Sequence, residues 1–155
     1  MKVNDSCVQE IRAFNRFYTN ILGLLDHHLL KSEYSLAEGR ILYEVHVGAN
    51  VRASDIMNAM DIDKSYLSRL LKRMEKQGLI AKKPAQNDAR ANHIYLTPQG
   101  HGIFLKLNSA SNEQVNELLS HLTPEKQVEL TNHMNAIVKL LKLQQNEHSG
   151  KNDPK

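Results

Sequence analysis

The sequence predicts a mainly α fold (α+β class): a series of helices with one small hairpin near the middle. Three observations carry this. Apolar residues recur at spacings of three and four through most of the 155 residues. Helix-start signals stand in front of several of those segments. Two short extended runs flank a polar stretch that fits neither a helix nor a strand.

The first helix is predicted over residues 6–30. Val8, Ile11, Phe14, Tyr18, Ile21, Leu22, Leu25 and Leu29 form its stripe. A second helix starts at Ser35, where Ser35 and Glu38 have the spacing of a capping box. Leu36, Ile41, Leu42, Tyr43 and Val45 supply its buried face, and Gly48-Ala49-Asn50 ends it. Ala53–Met60 is a short third helix, with Ile56, Met57 and Met60 on one side. Asp61-Ile62-Asp63 is a tight turn, and Asp63 is a good N-cap for the next helix. That helix runs from Lys64 to about Gln77, with Gly78 as its left-handed C′ residue. The extended runs Leu79–Lys83 and Asn92–Thr97 follow, and residues 84–91 read as a polar hairpin loop. Thr97-Pro98 opens a helix to about Ser120, with Thr as N-cap and Pro at the first helical position. Thr123-Pro124 repeats the signal for a last helix carrying Val128, Met134, Ile137, Val138 and Leu141. The tail from Gln144 is polar and is expected to fray.

The terminal helices are long and apolar along one face, with little chain left to cover them. The expected solution is a homodimer in which the first and the last two helices intertwine. The predicted division is a dimerisation helix over 1–34, a central domain over 35–97, C-terminal dimerisation helices over 98–143 and a flexible tail over 144–155.

Composition excludes several classes. With 41% hydrophobic and 24% charged residues, the chain is neither low-complexity nor collagen-like. No stretch approaches the roughly 18 uninterrupted apolar residues of a membrane helix. The opening Met1-Lys2-Val3-Asn4-Asp5-Ser6 lacks the apolar segment of a secretory signal. A single cysteine, Cys7, fits a reducing compartment, and a cytoplasmic protein without a membrane partner is expected. No phosphate-binding glycine loop, Gly-x-Ser-x-Gly or HExxH stretch is present, so no enzyme is expected.

Charge is unevenly placed. Residues 52–100 hold nine Lys/Arg and five Asp/Glu, a balance of +4, and the remainder of the chain is −1. A basic third of a chain is the footprint of a nucleic-acid surface. The same third contains short helix, three-residue turn and longer helix, a helix-turn-helix whose second helix enters the DNA major groove. At about 100° per residue, Leu67, Leu70, Leu71 and Met74 cluster on one side of that helix. Ser65, Arg69, Lys72 and Lys76 cluster opposite, with Tyr66, Ser68 and Arg73 on the flanks. Hydroxyls and long cations suit base edges and phosphates. The hairpin directly after it makes a winged helix-turn-helix. Lys82 and Lys83 stand at the base of the wing and Arg90 near its tip, where a thin loop can reach the minor groove. Asp88 has the sensible role of orienting Arg90 by accepting its hydrogen bonds.

Together these blocks resemble the multiple-antibiotic-resistance regulator (MarR) family of bacterial winged-helix transcription factors, over about residues 8–143. The resemblance is carried by Ser35–Glu44, Ala53-Ser54-Asp55-Ile56, Asp63–Leu71, Glu75–Ile80, the Asp88-Ala89-Arg90 wing and Leu96-Thr97-Pro98-Gln99-Gly100. It implies a dimeric, ligand-responsive regulator, usually a repressor, on a palindromic promoter site. It places the family's wing Asp-x-Arg on Asp88 and Arg90, the recognition helix on Lys64–Gln77 and a supporting contact on Ser54. The DNA-binding set is thus Ser54, Lys64, Ser65, Tyr66, Ser68, Arg69, Lys72, Arg73, Lys76, Lys82, Lys83, Asp88 and Arg90. The resemblance also puts an effector site between the dimer helices and the winged domain. Arg16, Arg40 and His46 are candidate anchors there for a small aromatic or phenolic ligand, with ion pairs to Glu44 or Glu38 as the competing role of the arginines. Phe14–Tyr18 and Tyr66–Leu71 resemble a subgroup sometimes fused to an acetyltransferase, but no acetyl transfer is expected here. Two positions depart from the pattern: Arg52 where a capping Thr or Ser is usual, and Ala91 where a further basic residue would strengthen the wing.

Other constellations are weak. His27, His28, His46, His93, His101, His121 and His133 show no chelating i, i+4 pair, so neither metal nor cofactor is expected. Cys7 lies near a helix N-terminus, which lowers thiol pKa. The alternatives to the main reading are therefore a thiol-based sensor acting through Cys7 and a winged-helix interaction module without DNA binding.

Overall fold

The structure, a computed structural model, describes residues 4–23, 32–85 and 88–149, without the side chains of 85, 88–91 and 143–149. The elements are α1 (Asp5–Ile21), α2 (Leu36–Val47), α3 (Ala53–Met60), α4 (Lys64–Lys76), β1 (Ile80–Ala85), β2 (Asp88–Leu96), α5 (Pro98–Leu119) and α6 (Pro124–Ser149). They fall into two compact units that meet between Ser111 and Asn112.

The first unit holds the core. Ile41, Leu42 and Val45 of α2, Ile56 of α3 and Leu67, Leu70, Leu71 and Met74 of α4 are all buried. Val51, Leu79, Ile80, Ile94, Phe104 and Leu107 complete the cluster. Fully burying one such side chain stabilises by about 1.5–3 kcal/mol, so four of them make the α4 seat the strongest single attachment of that helix.

Local chemistry sets the element ends. Ser35 and Glu38 form the expected capping box at the start of α2. At α3 the Arg52 side chain makes no cap, and instead the Asp55 carboxylate accepts from the Arg52 amide at 2.8 Å. Asp61 closes α3 in the left-handed region, at φ 50°. Asp63 then caps α4 by accepting from the Tyr66 amide at 2.8 Å. Gly78, at φ 72°, takes the left-handed step that a side chain would strain, and turns the chain into β1. Thr97 opens α5: its hydroxyl accepts from the Gly100 amide at 3.0 Å and donates to the Gly78 carbonyl at 2.5 Å. β1 and β2 pair antiparallel, Ile80 opposite Leu96 and Lys83 opposite His93. The Ile94 amide donates to Val51 at 2.7 Å, which ties the wing to the segment before α3.

In the second unit, Thr123 caps α6 by accepting from the Lys126 amide at 3.4 Å. The Gln127 side-chain amide donates to the Leu119 and Leu122 carbonyls at the α5–α6 connection, where the Leu119 carbonyl also accepts from the Leu122 amide at 3.0 Å.

Four expectations are corrected. The first helix stops at Ile21 rather than near residue 30, because Gly23 adopts φ 63° and breaks the helical backbone; residues 24–31, including His27 and His28, lie outside the described residues. Leu36 and Tyr43 are exposed rather than part of the buried face, since the core side of α2 is already filled by Ile41, Leu42 and Val45. The wing strands run on to Ala85 and from Asp88, into the stretch expected to be a loop, with a register shift between Pro84 and Ala85. Pairing needs backbone groups rather than apolar side chains, and a two-stranded ribbon is all edge, where Pro and bulges are tolerated. Finally, α6 continues to Ser149, beyond Gln144 where fraying was expected; polar residues still form a helix when none breaks it. Only 150–155 of that tail lie outside the described residues.

Candidate nucleic-acid interface

Anchoring of α4 by Leu67, Leu70, Leu71 and Met74 turns Lys64, Ser65, Tyr66, Ser68, Arg69, Lys72, Arg73 and Lys76 outward, and all eight are exposed. The Arg69 guanidinium lies 6.0 Å from the Tyr66 ring centroid, a cation–π contact that extends the arginine along the helix. Ser54 is exposed at the start of α3. A groove of about 410 Å³ brings Ser54, Lys64, Ser68, Lys72 and Lys82 together, over a floor of Met57, Leu67 and Leu71. Three cations and two hydroxyls around one groove make a site for a polyanionic backbone. A second groove of about 430 Å³ runs from Arg52 and Ser54 to Lys82 and Asn92. It connects α3 to the wing and gives the unexpected Arg52 a place on the same face.

The wing is held from below. Lys82 pairs with Glu75 of α4 at 2.7 Å. The Lys83 ammonium sits 5.5 Å from the Tyr95 ring centroid, and the Tyr95 hydroxyl donates to Asn50 at 3.2 Å. Asp88 and Arg90 belong to β2 at the far end of the ribbon; the expected bond between their side chains lies outside the described residues.

Not every residue of the set behaves alike. Arg73 is paired at 2.7 Å with Glu38, which is 3% exposed. That pair was missed, because Glu38 was read as a cap and no local spacing links it to α4. Burial, with the Glu33 and Glu38 carboxylates nearby, raises the Tyr34 phenol above its ordinary value. The three effector anchors stand in different surroundings among the described residues. Arg16 is exposed on α1. Arg40 is engaged with Glu44 at 2.6 Å, as the competing role had it, and lies 5.6 Å from the Tyr43 ring. His46 stacks on Phe104 at 4.0 Å, with His101 5.5 Å away. This α2–α5 ring contact was also invisible to local spacing. Cys7 is exposed.

Comparison with known proteins agrees with this geometry. Residues 33–91 match the model of the MarR family. The HTH-type transcriptional regulator BilQ of Clostridioides difficile (strain CD3) is 24% identical over 106 residues, 67% of this chain and 72% of that protein. A cysteine-to-serine variant of MarR from E. coli, complexed with operator DNA, superimposes with a TM-score of 0.70 at 19% identity, over 88% of this chain and 99% of its own length. PcaV from Streptomyces coelicolor, in complex with its natural ligand, gives 0.68 at 15% identity, over 90% of this chain and 98% of that one. The chain is thus similar to the MarR family over residues 33–91 and has the winged-helix fold of the MarR structures.

Proposed function

We propose that the protein is a sequence-specific double-stranded-DNA-binding regulator, a ligand-responsive repressor that acts in the cytoplasm as a homodimer on a palindromic promoter site. The observation that carries this is the outer face of α4, where hydroxyls and cations stand exposed on a helix whose other side is fully seated. The operator-bound MarR neighbour supports it. In this reading Ser54, Lys64, Lys72, Lys76, Lys82 and Lys83 meet phosphates, Ser65, Tyr66, Ser68 and Arg69 face base edges, and Asp88 and Arg90 serve the wing.

Dimerisation is supported by apolar side chains that the protomer leaves exposed: Ile11, Phe14 and Phe17 on α1, Leu105, Val115 and Leu118 on α5, and Ile137, Val138, Leu140 and Leu141 on α6. Two recognition helices would then enter successive major grooves about one DNA turn apart. A small aromatic or phenolic effector acts by population shift, favouring a dimer whose helix spacing no longer fits. The ligand-bound PcaV neighbour supports an effector, and Arg16 and His46 remain its proposed anchors.

The test is binding to the DNA upstream of the protein's own gene, against a scrambled duplex. Selective binding that weakens as salt rises is expected. No selective binding in the reduced, ligand-free state would favour an interaction module instead.

A further inference from the structure

We infer that Arg73, although it lies on the recognition helix, is a positioning residue that braces α4 against α2 through the buried carboxylate of Glu38, rather than a DNA contact. The inference rests on the DNA-binding reading of α4 given above.

Three observations carry it. First, Glu38 is the one charged side chain that is buried among the described residues, at 3% exposure. A buried carboxylate has to be matched by hydrogen bonds and a counter-charge. Second, both of its oxygens are engaged. Oε2 accepts from the Ser35 amide at 2.9 Å and from the Ser35 hydroxyl at 2.8 Å, and Oε1 faces the Arg73 Nη2 at 2.7 Å. The capping box thus fixes the carboxylate on α2, and the free oxygen fixes the arginine. Third, a comparison within the same face separates Arg73 from its neighbours. Lys82 also pairs with an acid, Glu75, but that partner's side chain is 43% exposed. A phosphate can draw Lys82 away and leave Glu75 in water at little cost. Drawing Arg73 away would strand the buried Glu38 without its cation.

The brace has a functional consequence. The four buried apolar side chains of α4 hold the helix down, but contacts between greasy surfaces are non-directional. A charged pair with one fixed partner is directional. It sets the rotation of α4 about its axis, and with it the base edges that Ser65 and Arg69 can reach. Small misplacements of a recognition group cost affinity without removing any contact to the partner.

The experiment measures anisotropy of labelled upstream duplex and of a scrambled duplex over a salt series. It uses the wild type, Arg73→Met, Glu38→Gln and the double variant, with helical content of each free protein followed by circular dichroism. The brace is expected to cost roughly tenfold in affinity for the upstream duplex in either single variant. The preference over the scrambled duplex narrows, the slope of log affinity against log salt stays at the wild-type value, and the double variant loses no more than the larger single one. The inference is overturned if Arg73→Met flattens the slope by about 0.9, the signature of one lost phosphate contact, or if folded Glu38→Gln binds like the wild type. Should Glu38→Gln not fold, the slope of Arg73→Met decides alone. Failure of the DNA-binding reading is distinguishable, because the wild type itself would then show no selectivity.

Discussion

At Gly100 a side chain has no room. A methyl group there would lie 1.9 Å from the Leu79 carbonyl oxygen, a backbone atom that cannot swing aside. That close approach is what the Thr97-Pro98-Gln99-Gly100 block provides: it lets α5 begin against the α4–β1 junction, with the Thr97 amide on the Leu79 carbonyl at 3.1 Å. Gly100→Ala is therefore expected to destabilise by about 1–3 kcal/mol, read as a lower urea midpoint. A midpoint equal to the wild type would mean that the junction is looser than its geometry. Residue roles that depend on local chemistry were legible beforehand: Ser35 with Glu38, Asp63, Gly78 and Thr97 all act as their neighbours in sequence suggest. Roles that depend on a distant partner were not. Nothing near Arg73 names Glu38, and nothing near His46 names Phe104.

At the level of elements, the legible boundaries were those with a chemical mark. α2, α4, α5 and α6 begin where a capping residue or a Pro says they should. The end of α1 was misjudged because the apolar spacing continues past Gly23, and periodicity carries no information about one left-handed residue. The wing strands were read short because alternation of side chains was taken as the sign of a strand, whereas the ribbon extends through polar residues on backbone pairing alone. In the proposed complex a longer ribbon would carry position 90 farther from the core, toward the minor groove flanking the site. Arg90→Ala is expected to weaken binding to the upstream duplex by several-fold, on the order of 1 kcal/mol, with the slope against salt reduced. Full affinity in that variant would show the wing to be idle.

For the molecule as a whole, the balance of buried and exposed apolar surface is uneven. The winged domain closes its own core, while α1 buries no residue at all within the protomer. Large apolar patches on a soluble surface mark interaction sites, and in the proposed homodimer a second copy covers these faces. Sedimentation equilibrium is expected to give a dimer mass at micromolar concentration, and Phe17→Glu to shift it toward monomer. A wild-type monomer with full DNA affinity would contradict the paired-helix arrangement. The expectation of a dimer came from the same apolar stripes in the sequence; what the stripes alone did not give is which side chains stay outside, and the structure names Phe14 and Phe17 among them.

The account turns on whether the outward side of α4 reads bases, and Arg69 is the residue that tests this most directly. Affinities of the wild type and Arg69→Ala for the upstream and the scrambled duplex should be compared at one fixed salt concentration. The expected result is a loss of about 1–3 kcal/mol on the upstream duplex, little change on the scrambled one, and hence a relaxed preference. A variant that binds both duplexes as tightly and as selectively as the wild type would contradict it.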